Sequence, residues 1–245
     1  MGVHDGRGVF ISGGTTGIGL AAAHRFIADG AKVFVVGRSA EKLERALQEL
    51  GPMASGCTCD VAVEAQVEAA LDESLAFLSR LDAAFVNAGI DGQGRDCLEI
   101  DAAFFLLVMN VNCVGSFLVA RGAARRMPAG GAIIFNASIA GLTAEAHCAD
   151  YCASKAAQVL LARTMAKDLG GRGFWVPVVC PGYVRTPQVE KYLDDPEIAA
   201  AIVEQIPIGR VGKVEEIADL VSFLARPEAA YMNGAIVNID GGQLA

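Results

Sequence analysis

The chain has 245 residues, 53% of them hydrophobic, and a net charge of −8 from 20 Lys and Arg against 28 Asp and Glu. This length suits one domain with a full core. The acidic balance argues against partners such as nucleic acids or anionic membranes, which bind cationic surfaces. Aromatic residues make up only 7%, so small aliphatic side chains must form the core, as in a parallel sheet covered by helices.

Short β-branched runs alternate with longer helical stretches along the chain. The sequence predicts strands at 9–11, 32–36, 54–59, 83–86, 132–135, 175–179 and 235–239, and helices at 18–29, 40–50, 63–79, 101–127, 151–169 and 214–224. This alternation predicts an α/β fold: a single doubly wound, Rossmann-like parallel sheet of about seven strands with helices on both faces. Pro177 is expected to weaken or bulge its strand because it lacks an N–H donor. Since no linker or repeat divides the sequence, a single domain over 1–245 is predicted.

Seven cysteines, an odd number, indicate reduced thiols. The first eight residues are polar and predict no signal peptide, so a cytoplasmic protein is expected. The cysteines lack the spacing of a zinc site, and no metal is predicted. The apolar stretch 102–120 is as long as a membrane span, but Asn110, Asn112 and Gly115 interrupt it. It is interpreted as a core helix, with no membrane contact.

A glycine-rich turn lies between the first predicted strand and the first helix. Glycines at such a turn let the backbone approach a pyrophosphate, and the helix N-terminus presents free amides to it. The spacing is Gly-x-x-x-Gly-x-Gly, unlike the Gly-x-Gly-x-x-Gly of longer dehydrogenases. The position of the turn indicates a dinucleotide site. Its residues are Ser12, Gly13, Gly14, Thr15, Thr16, Gly17, Ile18 and Gly19.

The end of the second strand bears on which dinucleotide binds. NAD sites carry an acidic residue here that holds the ribose hydroxyls, whereas this chain has Gly37 followed by Arg38 and Ser39. The planar guanidinium of arginine suits a 2′-phosphate. NADP is therefore favoured over NAD, and a solvated arginine is the alternative interpretation.

Tyr151 and Lys155 lie four residues apart and share one helix face. A phenol with a pKa near ~10 is a weak base at neutral pH, and an adjacent ammonium group favours the phenolate. The pair alone is also compatible with an exposed helix pair.

Together these features resemble the short-chain dehydrogenase/reductase family in its compact form. The motifs that carry the resemblance follow the family order over nearly the whole chain. They are the turn at 12–19, Asp60-Val61, Asn87-Ala88-Gly89, Asn112, Ser138, Tyr151-x-x-x-Lys155, the segment Pro181-Gly182-Tyr183-Val184-Arg185-Thr186, and Asp240-Gly241-Gly242.

The resemblance implies an oxidoreductase that moves a hydride between NADP(H) and a ketone or secondary alcohol. Tyr151 would be the general acid in reduction and the general base in oxidation, while Lys155 would bind the nicotinamide ribose and lower the pKa of Tyr151. Ser138 would bind the substrate oxygen, and Asn112 would hold a water that links Lys155 to solvent. The implied cofactor-binding residues are Gly13, Thr15, Thr16, Gly17, Ile18, Gly19, Arg38, Ser39, Asp60, Val61, Asn87, Ala88, Gly89, Tyr151, Lys155, Pro181, Gly182, Val184 and Thr186. Thr16 departs from the basic residue that many NADP-dependent members carry there.

The substrate pocket is expected from segments 90–96, 139–148 and 183–208, the last of which is the predicted lid. A small, mostly apolar ketone or alcohol is predicted. With no Arg or Lys between 139 and 150, a strongly anionic group near the reacting carbon is disfavoured. The predicted lining residues are Ser138, Ile139, Ala140, Cys148, Tyr151 and Tyr183.

Several alternatives remain open at this stage. A 3-oxoacyl-(acyl-carrier-protein) reductase would need a basic docking face, which Arg125, Arg126 and Arg172 could supply. An NAD-dependent sugar or cyclic-alcohol dehydrogenase and an NADP-sensing protein without turnover also fit the motifs. The family commonly forms homotetramers through the helices at 101–127 and 151–169, and the resemblance implies the same here.

Overall fold

A seven-stranded, wholly parallel sheet forms the centre of the computed structural model, which describes residues 2–245. The strand order is β3-β2-β1-β4-β5-β6-β7. Because the winding reverses between β1 and β4, a crevice opens at the carboxyl ends of these strands. The strands are β1 (Gly8–Ser12), β2 (Lys32–Gly37), β3 (Ala54–Thr58), β4 (Ala83–Val86), β5 (Ala132–Asn136), β6 (Val178–Pro181) and β7 (Ile236–Ile239).

Nine α-helices are present in residues 2–245, and those beside the sheet cover both of its faces. A hydrophobic core lies on each face of the sheet, and successive residues of β1 point to opposite faces. Phe10 packs with α3, α5 and α6 on one face, whereas Val9 and Ile11 pack with α1 and α9 on the other. A sheet buried on both faces explains the nearly continuous apolar runs of its strands. The helices are α1 (Gly17–Ala28), α2 (Ala40–Leu50), α3 (Glu64–Leu78), α4 (Ala102–Met109), α5 (Gly115–Arg126), α6 (Ala149–Gly170), α7 (Pro187–Leu193), α8 (Pro196–Glu204) and α9 (Val214–Leu224).

The predicted fold class is confirmed, but one strand boundary is wrong. The strand predicted at 175–179 begins only at Val178. Trp175 makes an isolated bridge to Ala132, and the Pro177 carbonyl still accepts from Phe135 N at 3.0 Å. Because proline has no N–H to donate, a continuous ladder forms only beyond it.

The segment 183–208, which the sequence predicts to be a lid, contains α7 and α8, which periodicity did not predict. Each begins at a proline, and its preceding residue, Thr186 or Asp195, accepts a hydrogen bond from the first helical turn. Thr-Pro and Asp-Pro are the local signals that could have located both helix starts.

The helix predicted at 101–127 is divided into α4, a π-helical segment Asn110–Val114, and α5. The run Ala102–Arg126 is the one helix among residues 2–245 whose length and composition would allow it to cross a membrane. Its inner face, with Val111, Leu118 and Val119, joins the core beside α3 and α6. The run therefore serves as a core helix in this fold.

Candidate active site

A cavity of about 420 Å³ lies at the carboxyl ends of the central strands. Its walls bring together most of the residues that the sequence predicted, although they are spread over more than 170 positions. Those residues are Gly13, Thr15, Thr16, Gly17, Ile18, Arg38, Ser39, Asp60, Val61, Asn87, Ala88, Gly89, Ser138, Tyr151, Lys155, Pro181, Gly182, Val184 and Thr186.

The turn after β1 leaves one end of the cavity open to an anion. Gly13 has φ +66°, and a methyl group at Gly19 would lie 2.1 Å from the Gly13 carbonyl oxygen. The helix α1 that follows has no side-chain cap at Thr16 and no acidic residue in its first turn. Its first amides are thus available to a phosphate group, so these residues fit the pyrophosphate of a dinucleotide.

Asn87 fixes the glycine turn to the neighbouring strand end. Its side-chain Nδ2 donates to the carbonyl oxygens of Ser12 and Gly13 at 3.1 and 3.0 Å, and its Oδ1 accepts from Asn136 at 2.8 Å. Ser12 Oγ in turn accepts from Asn87 N and Ala88 N. These bonds tie the 87–89 segment to the glycine turn, and its support of the cofactor stays a prediction.

The far end of the cavity carries two cationic side chains. Arg38 and Lys42 both line it, together with Ser39. The Ser39 hydroxyl accepts from Lys42 N and caps α2, which leaves its proton free to donate. At Gly37 a methyl group would lie 2.9 Å from the Thr15 side chain, so an acidic side chain there would have to displace Thr15.

Tyr151 and Lys155 project from the first turns of α6 into the opposite end of the cavity. Lys155 Nζ lies 5.5 Å from the centre of the Tyr151 ring and donates to the Asn136 carbonyl at 3.2 Å. Burial lowers the pKa of Lys155 to about 8. Burial raises the pKa of Tyr151, the neighbouring Ser138 hydroxyl opposes this effect, and the carboxylates of Asp91 and Glu145 add to it. The lowering of the pKa of Tyr151 by Lys155 stays a prediction for the cofactor-bound protein.

Asn112 lies in the π-helical segment behind this end of the cavity, fully buried. Its amide accepts from Ile90 N at 2.8 Å and donates to Ile90 O and Ser154 Oγ at 3.0 and 2.9 Å. A methyl group at Gly89 would contact both Asn112 Oδ1, at 3.2 Å, and Lys155 Nζ, at 3.6 Å. The predicted relay residues are therefore close neighbours.

Comparisons with known proteins agree with this geometry. The family model described as enoyl-(acyl carrier protein) reductase matches residues 13–243. The 2-(S)-hydroxypropyl-CoM dehydrogenase 3 of Xanthobacter autotrophicus is 37% identical over 97% of this chain and 96% of its own. The galactitol 2-dehydrogenase (L-tagatose-forming) of Cereibacter sphaeroides is 38% identical over 97% and 95%. The crystal structure of levodione reductase has a TM-score of 0.92 at 34% identity and covers 98% of each chain.

The chain belongs to the short-chain dehydrogenase/reductase family. The relatives named above are dehydrogenases and a reductase. This short-chain dehydrogenase/reductase is thus an oxidoreductase that acts on alcohol groups and uses an NAD(P) nucleotide.

Some predicted residues lie outside the cavity wall of this short-chain dehydrogenase/reductase. Gly19 packs beneath the glycine turn, and Asn112 lies behind the wall. Of the predicted substrate residues, Ile139 and Ala140 are buried in the turn after Ser138, and Cys148 is half-buried just before α6. Tyr183 instead donates to Glu145 at 2.6 Å, beside a second cavity. Contact of these four with substrate stays a prediction.

Three further residues of the site carry no motif that sequence reasoning used. Lys42 lines the cavity one turn into α2. Asp150 is fully buried and accepts from both Tyr151 N and Gln93 N. Asp91 lies in the predicted pocket segment 90–96, but its bonds were not predicted: it accepts from Lys191 and Tyr192 of the predicted lid at 2.8 and 2.9 Å. A carboxylate next to the reactive tyrosine is the one local signal that could have identified Asp150.

The arginines considered for a carrier protein are largely engaged elsewhere. Arg126 forms ion pairs with Glu68 and Asp72 of α3 at 2.6 and 2.7 Å, and Arg125 lies 3.7 Å from Glu68. Arg172 stacks over a phenylalanine ring. Arg126 is thus held by α3, whereas Arg125 and Arg172 are exposed, and the carrier-linked alternative stays open.

Proposed function

We propose that this short-chain dehydrogenase/reductase interconverts small, uncharged, mostly apolar ketones and secondary alcohols with NADP(H), and that Tyr151 is its general acid and base. One observation carries the proposal: Tyr151, Ser138 and Lys155 line the same cavity as the glycine turn and its open helix N-terminus. A reacting carbon held beside the phenol would therefore also lie beside a bound dinucleotide.

Each catalytic side chain has a distinct task in this mechanism. The nicotinamide supplies the hydride for reduction and accepts it in oxidation. In reduction Tyr151 Oη transfers its proton to the carbonyl oxygen, while Ser138 Oγ donates a hydrogen bond to that oxygen as its charge develops. Lys155 Nζ would hold the ribose hydroxyls of the nucleotide and would return a proton to the phenolate through a water held by Asn112.

The electrostatics around Tyr151 predict opposite pH requirements for the two directions. Because burial and the nearby carboxylates raise the pKa of Tyr151, the phenol keeps its proton at neutral pH and is ready to act as an acid. Alcohol oxidation needs the deprotonated phenol, so its rate rises with pH.

The preference for NADP follows from the distal end of the cavity. Arg38 and Lys42 provide two positive charges there, and the Ser39 hydroxyl provides a donor. The acidic residue of an NAD site at position 37 would have to displace the Thr15 side chain. A 2′-phosphate dianion matches this set of groups.

The charges near Tyr151 favour an uncharged substrate. Asp91 and Glu145 are close enough to influence the pKa of its phenol, and Glu145, whose partner Tyr183 carries no positive charge, would repel an anionic group. The relatives named above act on hydroxypropyl-CoM, galactitol and levodione, so the family members of similar sequence differ in substrate while they share the reaction class.

We further propose a cytoplasmic homotetramer, each subunit a single catalytic domain with a lid at 183–208. The outer faces of α4, α5 and α6 expose large apolar side chains, among them Leu106, Phe117 and Leu160. Such a patch is typical of a subunit interface. These helices correspond to those through which the family commonly assembles.

The experiment that tests the proposal compares NADPH and NADH as reductants of a panel of ketones, for the wild type, Arg38→Asp and Tyr151→Phe. We expect the wild type to prefer NADPH and Arg38→Asp to lower kcat/KM for NADPH about 100-fold, because one charged contact is lost and a repulsive one gained. NADH should be much less affected. Tyr151→Phe should bind NADPH normally and turn over at least about 1000-fold more slowly.

Two outcomes would contradict this proposal. A wild type that already prefers NADH would show that Arg38 and Lys42 do not select for the 2′-phosphate of NADP. Normal turnover by Tyr151→Phe would remove Tyr151 from its assigned role.

A further inference from the structure

The carboxylate of Asp91 joins two parts of the molecule that are 100 residues apart in sequence. Asp91 follows β4 and lies at the edge of the reaction site. Its Oδ2 accepts from Lys191 Nζ at 2.8 Å and from Tyr192 Oη at 2.9 Å. Both donors lie in the last turn of α7, and the pairing raises the pKa of Lys191. One oxygen atom thus binds the end of the lid helix.

Helix α7 has few other attachments. None of its seven residues is buried. Its other ion pair, Arg185 to Glu190 at 3.4 Å, is local and exposed. Within residues 2–245, Asp91 is the only residue outside 185–193 that forms a side-chain hydrogen bond with α7.

The position of Asp91 is itself fixed by the residues of the catalytic site. The preceding residue, Ile90, is bound through both its N–H and its carbonyl to the Asn112 side chain. Two residues later, Gln93 N donates to Asp150 Oδ2 at 2.9 Å, and the other oxygen of Asp150 accepts from Tyr151 N at 2.8 Å. The loop is therefore clamped on both sides of Asp91.

The opposite end of α7 reaches the cofactor cavity. Pro187, Gln188 and Val189, at the start of the helix, line that cavity beside Thr186. A short helix that contacts the cavity at one end and Asp91 at the other covers the space between them. That space is where the proposed function requires the substrate to bind.

We propose that Asp91 is a positioning residue that holds α7 over the substrate through Lys191 and Tyr192. The inference rests on the proposed function. In this role Asp91 does not itself transfer a proton or hydride, although its charge raises the pKa of Tyr151. It fixes the lid relative to Tyr151 and so sets the affinity for substrate more than the rate of chemistry.

The test combines hydrogen exchange with steady-state kinetics on Asp91→Asn, Asp91→Glu and Lys191→Met. We expect the α7 amides of Asp91→Asn to exchange about 5-fold faster than in the wild type, because loss of one partly exposed charge pair has an effect of that size. KM for a ketone should rise about 5-fold while kcat changes less than about 2-fold. The double variant Asp91→Asn/Lys191→Met should add little to either single change, and Asp91→Glu should restore most of the substrate affinity.

The matched control is Glu190→Gln, which breaks the other ion pair of the same helix without touching Asp91. Its α7 exchange and KM should stay near the wild-type values. Equal exchange in Asp91→Asn and the control would overturn the proposal, and faster exchange with unchanged KM would overturn the positioning role. Because exchange is measured without substrate, an enzyme that reduces no ketone would contradict the proposed function and leave this test of the lid intact.

Discussion

The cofactor end and the lid end of the cavity are held by different kinds of contact. The glycine turn is fixed by backbone packing: Gly19 has no room for a methyl group, and Asn87 brackets two carbonyls of the turn. The proposed lid is fixed by exposed or half-buried side chains, with Lys191 and Tyr192 on Asp91 and Tyr183 on Glu145. One end is therefore determined by shape and the other by a few polar contacts that solvent can replace.

This difference matches the division of tasks in the family fold. A dinucleotide is common to all members, so a rigid site built from the backbone can serve every one of them. Substrates differ among the relatives, and a lid attached by a few side chains can change with little effect on the sheet. If this contrast holds, substitutions at the backbone-packed end should have larger effects than those among exposed side chains.

The largest effect is expected at the glycine turn, for Gly19→Ala. The new methyl group would lie 2.1 Å from the Gly13 carbonyl oxygen and 2.6 Å from Asn87 Nδ2, so the turn must shift. We expect a loss of about 3 kcal/mol in unfolding free energy and at least about 100-fold weaker NADPH binding. Urea denaturation and fluorescence titration would measure these changes. The control is Gly171→Ala, where nothing lies within 4 Å and φ is −63°; a similar loss there would remove the contrast.

For Lys155→Met we expect a smaller change in unfolding free energy, and it should be a gain instead of a loss. Burial lowers the pKa of Lys155 from 10.5 to about 8, so between these pH values the unfolded chain binds more protons and wild-type stability rises with pH. The pKa shift of Lys155 destabilises the folded wild type at pH 7 by on the order of 3 kcal/mol, which the variant regains. The variant also loses the hydrogen bond to the Asn136 carbonyl, which offsets about 1 kcal/mol of this gain. The variant should therefore be inactive yet about 2 kcal/mol more stable at pH 7, with the gain lost towards pH 10.5. Denaturation of the cofactor-free protein at several pH values tests this, and a destabilised variant at pH 7 would contradict it.

The smallest effect is expected beyond the lid, for Glu216→Gln. Glu216 pairs with both terminal nitrogens of Arg210 and accepts from Lys213 N, and these contacts lower its pKa from 4.5 to about 2. Solvent screens this exposed pair, so we expect a loss of only about 0.5 kcal/mol at pH 7. The stabilisation is present above pH 4.5 and is lost as the pH falls towards 2. Urea midpoints at pH 7 and pH 3 measure this stabilisation. The control is Glu41→Gln, which breaks an isolated pair with Arg45. Equal midpoints at pH 7 for wild type and Glu216→Gln would show that the Arg210–Glu216 pair contributes nothing.

The cofactor end could be predicted from the sequence because its signals are local. Strand periodicity, the glycine turn and the Gly37-Arg38 pair each lie within a few residues, and the structure assembles them around one cavity. The lid could not be predicted this way, because the partners of Lys191 and Tyr192 lie 100 residues away in a loop without a motif. Pro177 correctly predicted a disturbed strand, but it did not predict that the strand begins only at Val178.

The π-helical segment Asn110–Val114 changes the angular relation between α4 and α5. An α-helix turns about 100° per residue, and a π turn holds one residue more, so the two helices are rotated about their shared axis relative to a continuous helix. That offset directs the Asn112 amide at Ile90 while α5 keeps its apolar face on the sheet. Deleting one residue from the segment would restore a regular helix and turn either Asn112 or the core face away. The number of residues in this 25-residue run is therefore fixed by the rotation that it must produce between α4 and α5. Its apolar composition alone would be compatible with one residue more or fewer.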